Sequence, residues 1–128
     1  MSKIVSQEEL KKLCEEWRER LRLQAWDVDV GIYRASEFEI PNCCGENEWG
    51  NRNYMSTIRI LDPVDYPKSN FKQDMEITLV HELLHLHFEA FEPKDKDTLQ
   101  YDIMERTIDR LAHTMVELKR QAYSTEGD

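Results

Sequence analysis

Two histidines and a glutamate at fixed spacing are the residues of this sequence best suited to chemistry. His81 and His85 lie four residues apart, and Glu82 directly follows the first of them. On a helix, side chains four residues apart project from one face about one turn apart. Two neutral imidazoles so placed can bind one zinc ion, and the neighbouring carboxylate can take a proton from a zinc-bound water. The pattern predicts a hydrolytic site with one Zn²⁺ per chain and Glu82 as general base.

A catalytic zinc ion needs a third protein ligand and an open position for water. The common extension of the pattern, a glycine and then a third histidine, is absent because Phe88 and Phe91 occupy those positions. We expect Glu105 to be the third ligand, since it shares one face of a later predicted helix with Asp109. Asp109 can then accept a hydrogen bond from a ligating histidine and fix its tautomer.

Other side chains compete for roles at the same site. An oxyanion stabiliser is expected near the metal, and the candidates are Tyr54, Tyr101 and His113. His113 could also be an alternate third ligand, a hydrogen-bond partner of a ligand or a solvated histidine. His87 lies away from the face of the two predicted ligands, so it is expected in the core or at its rim. Glu89 could hold His85, although a solvated carboxylate is the commoner state.

The composition places these residues in a small acidic domain. The chain has 128 residues and a formal net charge of −9, which fits one domain, 1–128, with its own core. An acidic surface repels phosphate backbones, so no nucleic-acid partner is expected. No apolar run approaches the roughly 20 residues of a membrane span, and the first ten residues do not resemble a signal peptide. We expect a cytoplasmic protein that acts on a peptide or protein; its oligomeric state does not follow from the sequence.

The three cysteines, Cys14, Cys43 and Cys44, are expected to be free thiols in a reducing compartment. The adjacent pair could indicate metal or redox chemistry. However, neighbouring residues seldom chelate one ion together, and the sequence has no second pair. Free thiols are therefore the favoured interpretation.

Three helices are predicted from hydrophobic periodicity, over about Gln7 to Leu23, Asn70 to Phe91 and Asp97 to Gln121. Ser6 and Glu9 form a capping box at the start of the first. The second carries the paired histidines and is apolar on two sides, which is typical of a helix buried at the centre of a domain. The tail from Tyr123 to Asp128 is expected to fray.

Two strands are predicted between the first and second helices. Trp26 to Tyr33 alternates in the manner of a half-buried strand, and Tyr54 to Leu61 has β-branched character. The second strand could be an edge that binds a substrate peptide by strand addition, or simply a strand of the sheet. Glu37 to Asn53 reads as loop with a short strand near Asn47 to Gly50. The order of elements predicts an α+β domain with a small antiparallel or mixed sheet packed on the buried helix.

The chemistry-bearing residues resemble the gluzincin pattern, in which HExxH is followed by ExxxD on a later helix. Here the two halves are His81-Glu82-x-x-His85 and Glu105-x-x-x-Asp109. The stretch 58–112 is similar to small phage- and prophage-encoded metallopeptidases, akin to minimal gluzincins and to the ImmA/IrrE and SprT-like groups. The first half of the chain shares only the helix-then-strand layout. SprT-like enzymes use a third histidine and a basic surface, and both are absent here.

The resemblance implies a zincin-like fold and a zinc metalloendopeptidase activity. It makes His81, His85 and Glu105 the metal ligands, Glu82 the base and Asp109 the residue that supports a ligand. A cytoplasmic protease is expected to have a narrow protein substrate, such as one regulatory partner, because indiscriminate proteolysis there would be harmful. The alternative is a zinc-binding structural or interaction module of a phage-like or regulatory complex with little turnover.

Overall fold

Three helices and a three-stranded sheet make up the part of the chain that the computed structural model describes, residues 3–50, 53–69 and 71–126. In chain order the elements are α1 (Gln7–Arg20), β1 (Asp27–Tyr33), β2 (Gly45–Gly50), β3 (Met55–Leu61), α2 (Met75–Phe88) and α3 (Leu99–Glu126). Single 3₁₀ turns at Ala35–Glu37 and Pro63–Asp65 interrupt the connections. The predicted α+β class is confirmed. None of the helices described is both long and apolar enough to cross a membrane.

The sheet is mixed, with the strand order β1-β3-β2. β3 pairs with β1 in parallel and with β2 in antiparallel orientation. Of the two alternatives for the strand predicted over Tyr54 to Leu61, the ordinary sheet strand is therefore correct. Because both of its edges are already paired, β3 cannot bind a peptide by strand addition. The edge of the sheet that lies beside α2 is formed by β2. This strand begins at Gly45 and is therefore longer than the short strand predicted near Asn47 to Gly50.

One face of the sheet packs on the helices. Val30, Ile58 and Ile60 are buried on this face and join the side chains of α1 and α2 in a single core. α2 lies at its centre, as its two apolar sides predicted: Leu79, Val80 and Leu83 are fully buried. On the opposite face the aspartates of β1 and Glu48 are exposed, whereas Glu46 and Leu61 are buried.

The side chain of Gln7 occupies part of the outer edge of β1. Its Nε2 donates to the carbonyl of Val30 at 3.0 Å, and its Oε1 accepts from the N–H of Ile32 at 2.8 Å. The amide thus makes the pair of hydrogen bonds that the backbone of another strand would make. The two edges of the sheet consequently differ, since the middle of the β1 edge is covered by a side chain.

α2 and α3 run antiparallel and are joined at one end by buried ion pairs. Asp74 caps α2 by accepting from the N–H groups of residues 76 and 77, both at 3.1 Å. Its carboxylate also accepts from both terminal nitrogens of Arg120 on α3, at 2.8 and 3.0 Å. The fully buried Glu76 accepts from Lys119 and, at 2.7 Å, from the indole of Trp17 on α1. These contacts fix how far α3 is shifted along α2.

The helix ends differ from the predicted ones for local reasons. The capping box of Ser6 and Glu9 is confirmed, but α1 stops at Arg20 rather than near Leu23. Arg22 has φ 60°, and the N–H of Leu23 donates to the carbonyl of Arg18 at 2.8 Å, which is the geometry that closes a helix.

α2 begins at Met75, where Asp74 caps it, and it ends at Phe88. The predicted start at Asn70 lies outside the described residues. α3 begins slightly later than predicted, at Leu99, and continues to Glu126. The tail expected to fray from Tyr123 is therefore helical as far as Glu126, and its last two residues lie outside the described part.

Candidate metal centre

α2 and α3 bring the two predicted histidines and the predicted glutamate together. The Nε2 atom of His85 lies 2.7 Å from Oε1 of Glu105, and that of His81 lies 3.3 Å from Oε2 of the same carboxylate. One ligand atom from each of the three residues falls within 4.8 Å of the others. Two imidazoles and a carboxylate are the donor set of many catalytic zinc sites, so the group fits a single metal ion.

The Nδ1 atom of each histidine contacts a carboxylate of another residue. His81 Nδ1 lies 3.3 Å from Oδ1 of Asp109, and His85 Nδ1 lies 2.8 Å from Oε1 of Glu92. A carboxylate on Nδ1 keeps the proton there and leaves the lone pair on Nε2, the atom that points to Glu105. Asp109 therefore occupies the supporting position predicted for it.

The electrostatics of the cluster favour positive charge at its centre. Burial alone lowers the pKa of an imidazole, but hydrogen bonding to Glu105 and Glu92 raises the pKa of His85 to about 10. The pKa of His81 is raised as well, since Glu105 outweighs the effect of its burial. Burial raises the pKa of Glu105, yet the two histidines bring that pKa well below its ordinary value. The field that holds protons here would also hold a metal ion, and the two compete.

Glu82 is buried beside this cluster without a partner. It is 8% exposed, and its carboxylate makes no hydrogen bond or ion pair with the described residues. Burial raises the pKa of Glu82, and the attraction of His81 and His85 only partly offsets it. The described part of the chain leaves this carboxylate unpaired, and because Glu82 lines both cavities described below, a molecule bound there could reach it.

β2 lies directly against α2 at the level of Glu82. The side-chain nitrogen of Asn47 donates to the backbone carbonyl of Glu82 at 2.9 Å. Gly45 permits the close approach of β2 to α2, because a Cβ atom at this position would stand 2.5 Å from Cγ2 of Thr78. Trp49 packs near His85, with the two ring centroids 6.1 Å apart. The strand thus forms one wall of the site.

A groove crosses the cluster and consists of two cavities that share Cys43, Gly45, Glu82 and Glu105. The first, of about 570 Å³, extends past Trp49 and Tyr101. The second, of about 450 Å³, extends past Phe71, Ile77 and His113. The candidate metal centre therefore lies in the middle of the groove and not at a closed end.

The structure separates the three candidate oxyanion stabilisers. Tyr101 lines the first cavity, and burial, together with nearby carboxylates, raises its pKa to about 12, so its hydroxyl stays protonated. His113 lines the second cavity and is exposed, and its Nε2 lies 3.8 Å from Oδ1 of Asp109. Tyr54 lines neither cavity; its ring packs edge-on against Trp26. The structure does not bring Tyr54 to the site.

His87 and Cys14 lie away from the predicted ligand set, whereas Cys43 and Cys44 line the groove beside it. His87 is exposed and donates from Nε2 to the carbonyl of Leu21 at 2.6 Å, so it lies at the surface and not in the core. Cys14, Cys43 and Cys44 are free thiols, as expected.

Sequence reasoning missed Glu92 and Asn47. The expectation for a carboxylate near His85 fell on Glu89, one turn further along the helix, whereas the residue that reaches Nδ1 is Glu92 in the connection to α3. Asn47 lay in a stretch interpreted mainly as loop. The only available signal was Glu92-Pro93 just after the helix, since a residue that precedes a proline has a restricted backbone.

Comparison of the chain with protein-family models, with curated proteins and with solved structures finds no match.

Proposed function

We propose that this protein is a zinc-dependent metalloendopeptidase with a zincin-like, gluzincin-type site. His81, His85 and Glu105 would hold the ion, and Glu82 would act as general base. Two imidazoles and a carboxylate suit zinc, although cobalt or manganese could replace it in vitro. A cytoplasmic location and a narrow protein substrate stay predictions.

The observation that carries the proposal is the unpartnered carboxylate of Glu82. A purely structural zinc site is usually closed by a fourth protein ligand and does not need a buried ionisable group beside it. Here three ligand atoms converge, and the carboxylic acid of Glu82 stands next to them with a raised pKa. A perturbed pKa at a cavity next to a metal-binding group is typical of a catalytic acid or base.

The shape of the groove supports cleavage within a chain rather than at its end. Cavities extend on both sides of Glu82, so a peptide could continue in both directions. The outer edge of β2 forms a wall of this groove and is available for backbone hydrogen bonds, whereas Gln7 covers the middle of the opposite edge. An extended peptide along β2 would bring a backbone carbonyl to the metal centre.

Each residue then has a defined task. Bound zinc would supply Lewis acidity, which activates water and polarises the substrate carbonyl. Glu82 accepts the proton of the attacking water and passes it to the nitrogen of the leaving amine. Tyr101, protonated at neutral pH, donates a hydrogen bond to the oxygen that becomes negatively charged. Asp109 and Glu92 keep the two imidazoles in one tautomer and orientation.

The decisive experiment combines metal analysis with one substitution. Protein purified without chelators or a metal-binding tag should contain about one zinc ion per chain by elemental mass spectrometry, and His81→Ala should lose it. Glu82→Gln should retain zinc but lose cleavage of a peptide library, while Glu89→Gln, at the C-terminal end of the same helix, should retain both.

The outcomes separate the alternatives. Absence of zinc, even after zinc is added back, would remove the proposal. Full activity of Glu82→Gln would remove the mechanism. Zinc at full occupancy with no cleavage of any peptide would favour the structural or interaction module of little turnover.

A further inference from the structure

A small apolar cavity of about 160 Å³ lies beside the groove, under the segment that leads into β2. Its apolar walls come from Phe38, Ile40, Leu61 and Pro67. Cys43 lines this cavity and also both halves of the groove, so the three spaces meet at its side chain.

The charged group in the cavity wall is already neutralised. The carboxylate of Asp65 accepts from Arg34 Nε and from the N–H of Ala35, both at 2.8 Å. The Arg34 guanidinium holds the pKa of Asp65 at about 2, so that carboxylate stays paired. The cavity is open to solvent and its wall also includes Asn42, but most of its lining is apolar, and a volume of about 160 Å³ suits one aliphatic side chain. The space therefore suits an apolar side chain better than water.

The cavity is preformed because the segment that covers it, residues 39–43, is hydrogen-bonded to β2. Glu46, only 3% exposed, accepts from the N–H groups of Glu39 and Ile40 at 3.0 and 2.9 Å. The Cys43 thiol donates to the carbonyl of Ile40 at 3.2 Å. These three hydrogen bonds, and a fourth from Arg59 to Glu46, hold the segment 39–43 over the cavity. The cavity therefore does not need a ligand to take its shape.

The geometry points to a specificity pocket: the cavity receives one aliphatic side chain of the peptide held in the groove, and Cys43 sets the width of its entrance. This inference rests on the proposed function, because the groove supplies the peptide. Cys43 and Gly45 stand together at the middle of the groove beside Glu82. The side chain that enters therefore belongs to a residue close to the scissile bond.

The test uses zinc-loaded protein and two series of peptide hydroxamates, which bind zinc without being cleaved. One series varies the side chain on the amino-terminal side of the hydroxamate and the other varies it on the carboxy-terminal side, with Gly, Ala, Leu and Phe in turn. Calorimetry should show Leu binding roughly tenfold or more tightly than Gly in one series only. Cys43→Leu should abolish this preference, whereas the similarly sized Cys43→Ser should keep it.

Phe38→Ala provides an independent variant, because Phe38 lines the small cavity and neither half of the groove. It should shift the preferred side chain from Leu to Phe without loss of zinc. It also covers the case in which Cys43→Leu does not fold. Zinc-loaded protein that binds every hydroxamate equally well would overturn the specificity pocket alone. Protein that takes up no zinc would overturn the proposed function, and the pocket with it.

Discussion

Glu92 Oε1 lies 2.8 Å from Nδ1 of His85, across the turn that separates α2 from α3. The side chains are 17% and 9% exposed, so water competes little for this hydrogen bond. The contact ties His85, a proposed metal ligand, to the connection between the helices, while Asp109 ties the other proposed ligand, His81, to α3 itself. The site is therefore supported from two different parts of the chain.

Removal of the Glu92 charge should lower the affinity for zinc without abolishing zinc binding. We expect Glu92→Gln to lower zinc affinity about 10- to 100-fold, because the supporting carboxylate raises the basicity of the imidazole and fixes its orientation. Competition with a chromophoric chelator measures this change. Glu89→Gln is the matched control and should leave the affinity within about twofold. Equal losses in both variants would show that the effect is only one of net charge.

Gly45 should be required for the contact between β2 and α2. In Gly45→Ala the new methyl group would stand 2.5 Å from Thr78 Cγ2, and we expect a loss of about 1–3 kcal/mol in the free energy of unfolding. Thr78→Ser removes that Cγ2 and keeps the hydroxyl that donates to Asp74. The double variant should therefore recover most of the loss in urea unfolding. Failure of Thr78→Ser to rescue Gly45→Ala would contradict the assigned clash.

Glu76 should make the fold sensitive to acid. Burial alone raises its pKa, but hydrogen bonds from Lys119 and Trp17 lower the pKa to about 2, below the ordinary 4.5. At a pH above 4.5, the pKa of Glu76 in the unfolded chain, this lowered pKa stabilises the fold by about 3 kcal/mol. The contribution disappears as the pH falls from about 4.5 towards 2. Unfolding free energies at pH 7 and pH 3 should thus differ less in Glu76→Gln than in the wild type. Glu8→Gln, exposed on α1, should keep the wild-type pH dependence.

Trp49 should report metal binding directly. Its ring centroid lies 6.1 Å from that of His85, whereas Trp17 contacts Glu76 and Trp26 contacts Tyr54. Addition of Co²⁺ should quench part of the tryptophan fluorescence in proportion to occupancy, and Trp49→Phe should abolish that change. Trp26→Phe should retain it. Quenching that persists in Trp49→Phe would place the ion elsewhere.

The elements with a strong hydrophobic periodicity could be predicted from the sequence. α2 shows this best, since its two apolar sides and its paired histidines follow from spacing alone. Glu105 and Asp109 could be predicted for the same reason: a four-residue interval on a helix fixes a shared face.

Residues outside periodic elements could not be placed in this way. β2 reads Gly-Glu-Asn-Glu-Trp-Gly, and of its two charged residues Glu46 is covered by a loop and by Arg59, whereas Glu48 is exposed. Its strand character therefore comes from pairing with β3, not from its own pattern. Glu92 reaches His85 only because the chain turns back after Phe88, and the direction of such a turn depends on tertiary packing.

The antiparallel pairing of α2 and α3 has a consequence for how this sequence can change in evolution. Glu105 must face the two histidines while Lys119 and Arg120, further along the same helix, must face Glu76 and Asp74. One inserted residue between these groups would rotate one of them by about 100° relative to the other. Insertions and deletions should therefore be tolerated in the connection 93–97, before α3 begins, and purged from the stretch between Glu105 and Lys119.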